Sequence, residues 1–161
     1  MITNFYKIPN TLQLTTDAAV FSLITLDEDS LTLNQSIPHF DSTNINHFAV
    51  MHYLNDGDFN GTGFYRHKPT GFENITPDRL ELLDKSVVNF FNTVAFPFQA
   101  YFNVSDNHFE LIGGVDYKPN RLVIYPGTLL HSALVDPKKD VIDNVKTGRL
   151  TANVFVNFDG K

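Results

Sequence analysis

Residues 149–158 read Arg149-Leu150-Thr151-Ala152-Asn153-Val154-Phe155-Val156-Asn157-Phe158. Side chains of a strand alternate between its two faces. Leu150, Ala152, Val154, Val156 and Phe158 make one apolar face, the pattern of a strand against a core. Arg149, Thr151, Asn153 and Asn157 share the other face with Phe155. That face is polar but carries one charge, so it reads either as solvent-facing or as the lining of a ligand cavity.

Working outward, the rest of the chain is also β-rich. Ala19 to Asp27 and Leu31 to Asp41 read as strands with a turn between them, and His47 to Asn55 as a longer apolar strand. Asp56 to Gly61 has the composition of a hairpin loop. Gly63 to His67, His108 to Tyr117, Asn120 to Tyr125 and His131 to Val135 complete the strands. One helix interrupts them, expected over 76–93. Thr76 can cap it, Pro77 suits its first position, and Leu80, Leu83, Val87, Val88 and Phe91 recur at helical spacing. About eight strands and one inserted helix in 161 residues predict a mainly all-β chain. The expected architecture is a single jelly-roll domain, 1–161. An immunoglobulin-like sandwich is the rival.

Composition narrows the function. The chain has no Cys, so a disulfide framework and a thiolate metal site are excluded, and any metal must be held by His, Asp and Glu. Its net charge of −6 disfavours nucleic acid, which needs a basic face. No apolar run is long enough for a membrane span, and the N-terminus lacks a signal-peptide layout, which points to the cytoplasm. A second copy of the chain is a candidate partner.

His39-Phe40-Asp41 is the first candidate for chemistry. Positions i and i+2 of a strand converge, so an imidazole and a carboxylate meet while Phe40 turns to the core. These are half of a 2-His-1-carboxylate facial site. His108-Phe109-Glu110 offers the same pattern and stays open as a rival. His131, opening a strand after Tyr125-Pro126-Gly127, is the candidate third ligand. Arg149 lies 18 residues beyond it, with the Thr151 hydroxyl on the same face. An Arg fork binds a carboxylate bidentately. Tyr53 could reach a ligand or fill the core. Arg66 and His67 reach either a cavity mouth or solvent, His52 reads as a packed or edge residue, and Lys138-Lys139 as a solvated pair.

The order of these pieces resembles the Fe(II)/2-oxoglutarate-dependent dioxygenase superfamily. Ile37-Pro-His-Phe-Asp41, Phe48-Ala-Val-Met-His-Tyr-Leu-Asn55, Gly61-Thr-Gly-Phe64, Tyr125-Pro-Gly-Thr-Leu-Leu-His131 and Gly148-Arg-Leu-Thr151 resemble its prolyl 4-hydroxylase-like group. The run Phe64-Tyr-Arg-His-Lys-Pro-Thr-Gly-Phe72 resembles an uncharacterised microbial branch. The resemblance spans about residues 35 to 158 and implies a double-stranded β-helix. It implies iron on His39, Asp41 and His131. It implies 2-oxoglutarate on Arg149, helped by Thr151, with Tyr53 as a further contact. The implied reaction is hydroxylation of a small-molecule or peptide substrate coupled to decarboxylation of 2-oxoglutarate. Prolyl hydroxylases carry a Lys closer behind the distal His, so prolyl specificity is not implied. Only about 35 residues precede the matched part, so the family's supporting N-terminal helices are expected to be missing. Two other functions compete. One is a non-catalytic jelly-roll binding module. The other is a cupin-like metalloenzyme without 2-oxoglutarate.

Overall fold

A computed structural model describes residues 2–93 and 99–160. In chain order the elements are α1 (Ile2–Phe5), β1 (Leu12–Leu23), β2 (His47–Tyr53), β3 (Thr62–His67), α2 (Pro77–Thr93), β4 (Phe109–Val115), β5 (Leu122–Pro126), β6 (His131–Ala133), α3 (Pro137–Asp140) and β7 (Leu150–Gly160). The strands form two antiparallel sheets, ordered β1-β7-β2-β5 and β4-β3-β6. The chain is mainly β, as its alternating pattern predicts. No helix among the described residues is long and apolar enough to cross a membrane.

Two segments differ from the sequence expectation. The strand expected at 19–27 ends at Leu23, and it starts seven residues early, at Leu12. It is an edge strand exposed on both faces, so burial imposes no alternation on its sequence. The turn expected before residue 31 holds a first 3₁₀ turn, Glu28–Ser30, and the strand expected at 31–41 is a second, Leu33–Gln35, followed by an extended run. The Thr32 amide and hydroxyl both donate to the Gln35 side-chain oxygen, each at 2.9 Å. Such local side-chain bonds compete with a ladder.

Three apolar clusters hold the layers together. Met51, Tyr53 and Tyr125 pack with Phe64 and Phe155 between the two sheets. Tyr65, Leu83, Phe109 and Leu130 join α2 to the outside of the three-stranded sheet. Ile8, Phe48, Val156 and Phe158 seal the N-terminal segment on the outside of the four-stranded sheet. The polar face of β7 is thereby resolved. Thr151 and Phe155 stand opposite Tyr53 and Ala49 of β2, so that face looks into the space between the sheets. Helix α2 buries Leu83, and Leu80 and Val87 pack on the same cluster. Val88 is 58% exposed, because it lies about 100° around the helix from Val87.

His67 gives this layer a pH dependence. It is fully buried on β3, with Nδ1 2.7 Å from the Thr70 hydroxyl and Nε2 without a partner among the described residues. Burial first, and His108 beside it second, hold its pKa near 4. The unfolded chain takes up a proton near pH 6.5 that the folded chain refuses. The stability held at neutral pH is therefore lost as pH falls from about 6.5 toward 4, by an amount on the order of 3 kcal/mol. Urea unfolding at pH 7, 6 and 5 should show this slope in the wild type and a shallower one in His67→Asn. Equal slopes would assign the loss to other groups.

Candidate metal centre

His39 and Asp41 lie on the extended run after the second 3₁₀ turn, held by backbone bonds rather than by a full strand. His39 N–H donates to the His131 carbonyl at 2.9 Å, and His131 N–H returns the bond to His39 at 2.8 Å. Asp41 N–H donates to the Gly127 carbonyl at 2.8 Å. One bridge therefore sets both flanking side chains while Phe40 packs toward α2. Gly127 is required at the turn into β6, since a Cβ there would fall 2.0 Å from His47 Nδ1.

The side chains of His39, Asp41 and His131 offer ligand atoms that all lie within 4.8 Å of one another. His131 Nε2 is 3.7 Å from Asp41 Oδ1, and the two imidazole centroids are 4.4 Å apart. The Asp41 side chain is 16% exposed and that of His131 7%. His131 Nδ1 sits 2.8 Å from the Leu129 carbonyl, which fixes Nδ1 as the protonated nitrogen and leaves the Nε2 lone pair facing the cluster. Burial lowers the His131 pKa to about 4. Burial, then the neighbouring His131, lowers that of His39 to about 4. Burial raises the Asp41 carboxyl, against the pull of His39 and His47. At neutral pH the cluster thus presents two uncharged imidazoles and one carboxyl group that burial leaves wanting a cation. This donor set fits a divalent transition metal.

Arg149 directly precedes β7 and is 3% exposed. Its Nε donates to the Asn60 carbonyl at 2.8 Å and its Nη2 to the Gly61 carbonyl at 3.0 Å. Gly61 has no room for a side chain, because a Cβ would fall 1.8 Å from the Val115 carbonyl oxygen. The guanidinium lies 5.6 Å from the Tyr53 ring centre and 5.8 Å from that of Tyr117. No carboxylate among the described residues forms an ion pair with it. Asp140, the acid that acts on it, is occupied by the Asn60 and Asp136 amides. Burial lowers the Arg149 pKa. The Tyr53 hydroxyl pairs with Thr62 Oγ1 at 2.9 Å. Thr151 donates to the Ser22 carbonyl at 3.4 Å and accepts from Asn153.

Tyr125 is the residue the sequence analysis quoted without giving it a role. It is 7% exposed, its ring lies 4.8 Å from that of His131, and its hydroxyl makes no hydrogen bond among the described residues. Burial above all, then Asp41 and Tyr53, raises the pKa of that hydroxyl, against the pull of Arg149. The available signal was its alternation with Val123 on a strand ending at Pro126-Gly127.

The other candidates lie elsewhere. Glu110 pairs with Arg66 at 3.1 Å, and Arg66 also holds Glu73, both away from the cluster. His108 stacks on Phe90 and sits against His67. The rival His108-Phe109-Glu110 set is therefore not gathered, and neither Arg66 nor His67 reaches the centre. His52 Nε2 pairs with the Asn120 side chain at 2.9 Å. Lys138 and Lys139 lie in α3.

The chain belongs to a family of unknown function, DUF6445, whose family model matches residues 1–156. Comparisons with curated proteins and with solved structures found no match.

Proposed function

We propose that this protein is an Fe(II)- and 2-oxoglutarate-dependent oxygenase on a double-stranded β-helix, hydroxylating a small-molecule or peptide substrate. The observation that carries the reading is the convergence of His39, Asp41 and His131 with both imidazoles neutral, in a chain that also buries Arg149 with no ion-paired carboxylate among the described residues. His39, Asp41 and His131 would hold iron on one face and leave the opposite face open. When bound, the iron and 2-oxoglutarate would supply the oxidising chemistry with dioxygen as the oxidant, one oxygen atom entering succinate as 2-oxoglutarate loses carbon dioxide and the other entering the substrate C–H bond as a hydroxyl.

The chain's own residues supply position and dryness. The bridge between His39 and His131 fixes the two imidazoles relative to each other. Leu129 keeps His131 in the tautomer that coordinates. Arg149 provides the fixed positive charge for a dicarboxylate, and the Tyr125 ring lies 4.8 Å from that of His131 with its hydroxyl free to donate. Phe64 and Phe155, packed around Tyr125 and its neighbours, exclude water from this space.

The test is anaerobic titration of the purified protein with Fe(II) and then 2-oxoglutarate. A weak visible metal-to-ligand band that needs both additions is expected. Binding of neither would favour the non-catalytic module, in which Arg149 only clamps the Asn60-Gly61 backbone. Iron binding without 2-oxoglutarate binding would favour the cupin-like reading.

A further inference from the structure

A cavity of about 560 Å³ lies between α2 and the run 34–40, within the 300–1,000 Å³ typical of ligand sites. Leu83, Phe109 and Leu130 form its floor, and Ile37, Phe40 and Val87 its walls. Leu83, Phe109 and Leu130 are all buried, so the floor belongs to the core. His39 borders the cavity, which brings it up to the candidate metal centre. A second cavity also touches His39, but at about 200 Å³ it is small for an organic ligand.

The polar lining decides the ligand class. No Lys or Arg lines the larger cavity. Asp84 is its one charged residue at neutral pH. It stands one position beyond Leu83 on α2 and has no hydrogen bond or ion pair among the described residues. Asn34 and Gln35 add neutral polar groups. A ligand carboxylate at the α2 end of this cavity would meet Asp84 and no cationic side chain, whereas an ammonium group would meet a free carboxylate.

We propose that this cavity is the substrate subsite of the oxygenase and takes an apolar body bearing a primary amine. The amine sits at Asp84, and the apolar carbons run over Leu83 and Phe109 toward His39. This rests on the oxygenase reading and narrows its substrate. A lysine-like or alkylamine group fits, and a free anionic acid does not.

The test uses n-hexylamine, n-hexanol and n-hexanoate as probes of equal length. Binding is first followed by NMR titration of the metal-free protein, so that it is read apart from any turnover. The expected order is hexylamine, then hexanol, with hexanoate weakest. Asp84→Asn should weaken hexylamine about fivefold, the upper range for an exposed charge pair, and leave hexanol unchanged. Val87→Trp should block all three by filling the cavity, with the folded spectrum as control. Hexanoate binding as tightly as hexylamine would overturn the proposal. So would an Asp84→Asn protein that binds hexylamine like the wild type, or no saturable binding by any probe. If Fe(II) and 2-oxoglutarate bind but hexylamine does not, the cavity assignment alone falls. If hexylamine binds but neither Fe(II) nor 2-oxoglutarate does, the oxygenase subsite falls with its parent reading.

Discussion

His131→Ala is expected to abolish tight Fe(II) binding, with affinity falling by more than the roughly 10- to 100-fold cost typical of changes outside the ligand shell. His39 and Asp41 come from one short run, two residues apart, and by themselves make only a two-point site. His131 supplies the third corner from β6, and its Nε2 lone pair is already aimed by the Leu129 carbonyl. The substitution removes this donor and leaves the framework, because the His39–His131 bridge is made of backbone atoms that alanine retains. Anaerobic calorimetry with Fe(II) reads the result, and far-ultraviolet dichroism checks the sheets. His108→Ala is the matched control, since His108 sits with His67 and Phe90 and should leave iron affinity unchanged. Wild-type affinity in His131→Ala would move the ligand set elsewhere.

The contrast between His39 and His108 shows how far periodicity carries a reading. Their local patterns are the same, His-x-Asp against His-x-Glu, and spacing alone left both open. What separates them is nonlocal. Arg66 on β3 captures Glu110 of the neighbouring β4, whereas the turn at Gly127 draws Asp41 in beside His131. Elements packed on a core are readable in the sequence. β2 is apolar along its length because the space between the sheets lies on one face and the N-terminal segment on the other, and α2 shows its stripe because it packs on a sheet. β1 was half-missed because nothing buries it on either side, and 31–41 because Thr32 and Gln35 bond locally. Even there the i, i+2 argument for His39 and Asp41 needed only an extended backbone, and a single bridge provides one. For Arg149, the shared polar face is compatible with solvent or with a cavity, and burial at 3% exposure decides for the interior. Its grip on the Asn60 and Gly61 carbonyls, nearly ninety positions earlier, has no local signature. Tyr125 went unassigned for a related reason. A buried tyrosine reads as core until its hydroxyl is found without a partner.

Arg149→Ala carries the second large effect, and it separates the oxygenase reading from its rivals. 2-Oxoglutarate is a dianion, and its distal carboxylate needs a cation when it leaves water. Arg149 is buried and, with no ion-paired carboxylate among the described residues, is the cation suited to meet it. Removing one partner of a buried, hydrogen-bonded charge pair costs about 2–5 kcal/mol. That corresponds to a loss of 2-oxoglutarate affinity of roughly 30-fold or more. Arg149→Lys should recover only part of it, because a point charge cannot hold the Gly61 carbonyl and a carboxylate in the fork geometry. Alanine also frees the Asn60-Gly61 backbone, so some loss of thermal stability is expected alongside. The two effects are separable. Fe(II) affinity depends on His39, Asp41 and His131 and should stay within about threefold of wild type if only the co-substrate anchor is lost, well short of the cost of disturbing a ligand's support. Titration of iron-loaded protein with 2-oxoglutarate, and succinate formation without added substrate, give the two readouts. If Arg149→Ala binds and consumes 2-oxoglutarate like the wild type, the guanidinium is a backbone clamp and the anchor lies elsewhere. If it loses both while its iron affinity holds, the burial of an arginine without a carboxylate is explained by the ligand it awaits.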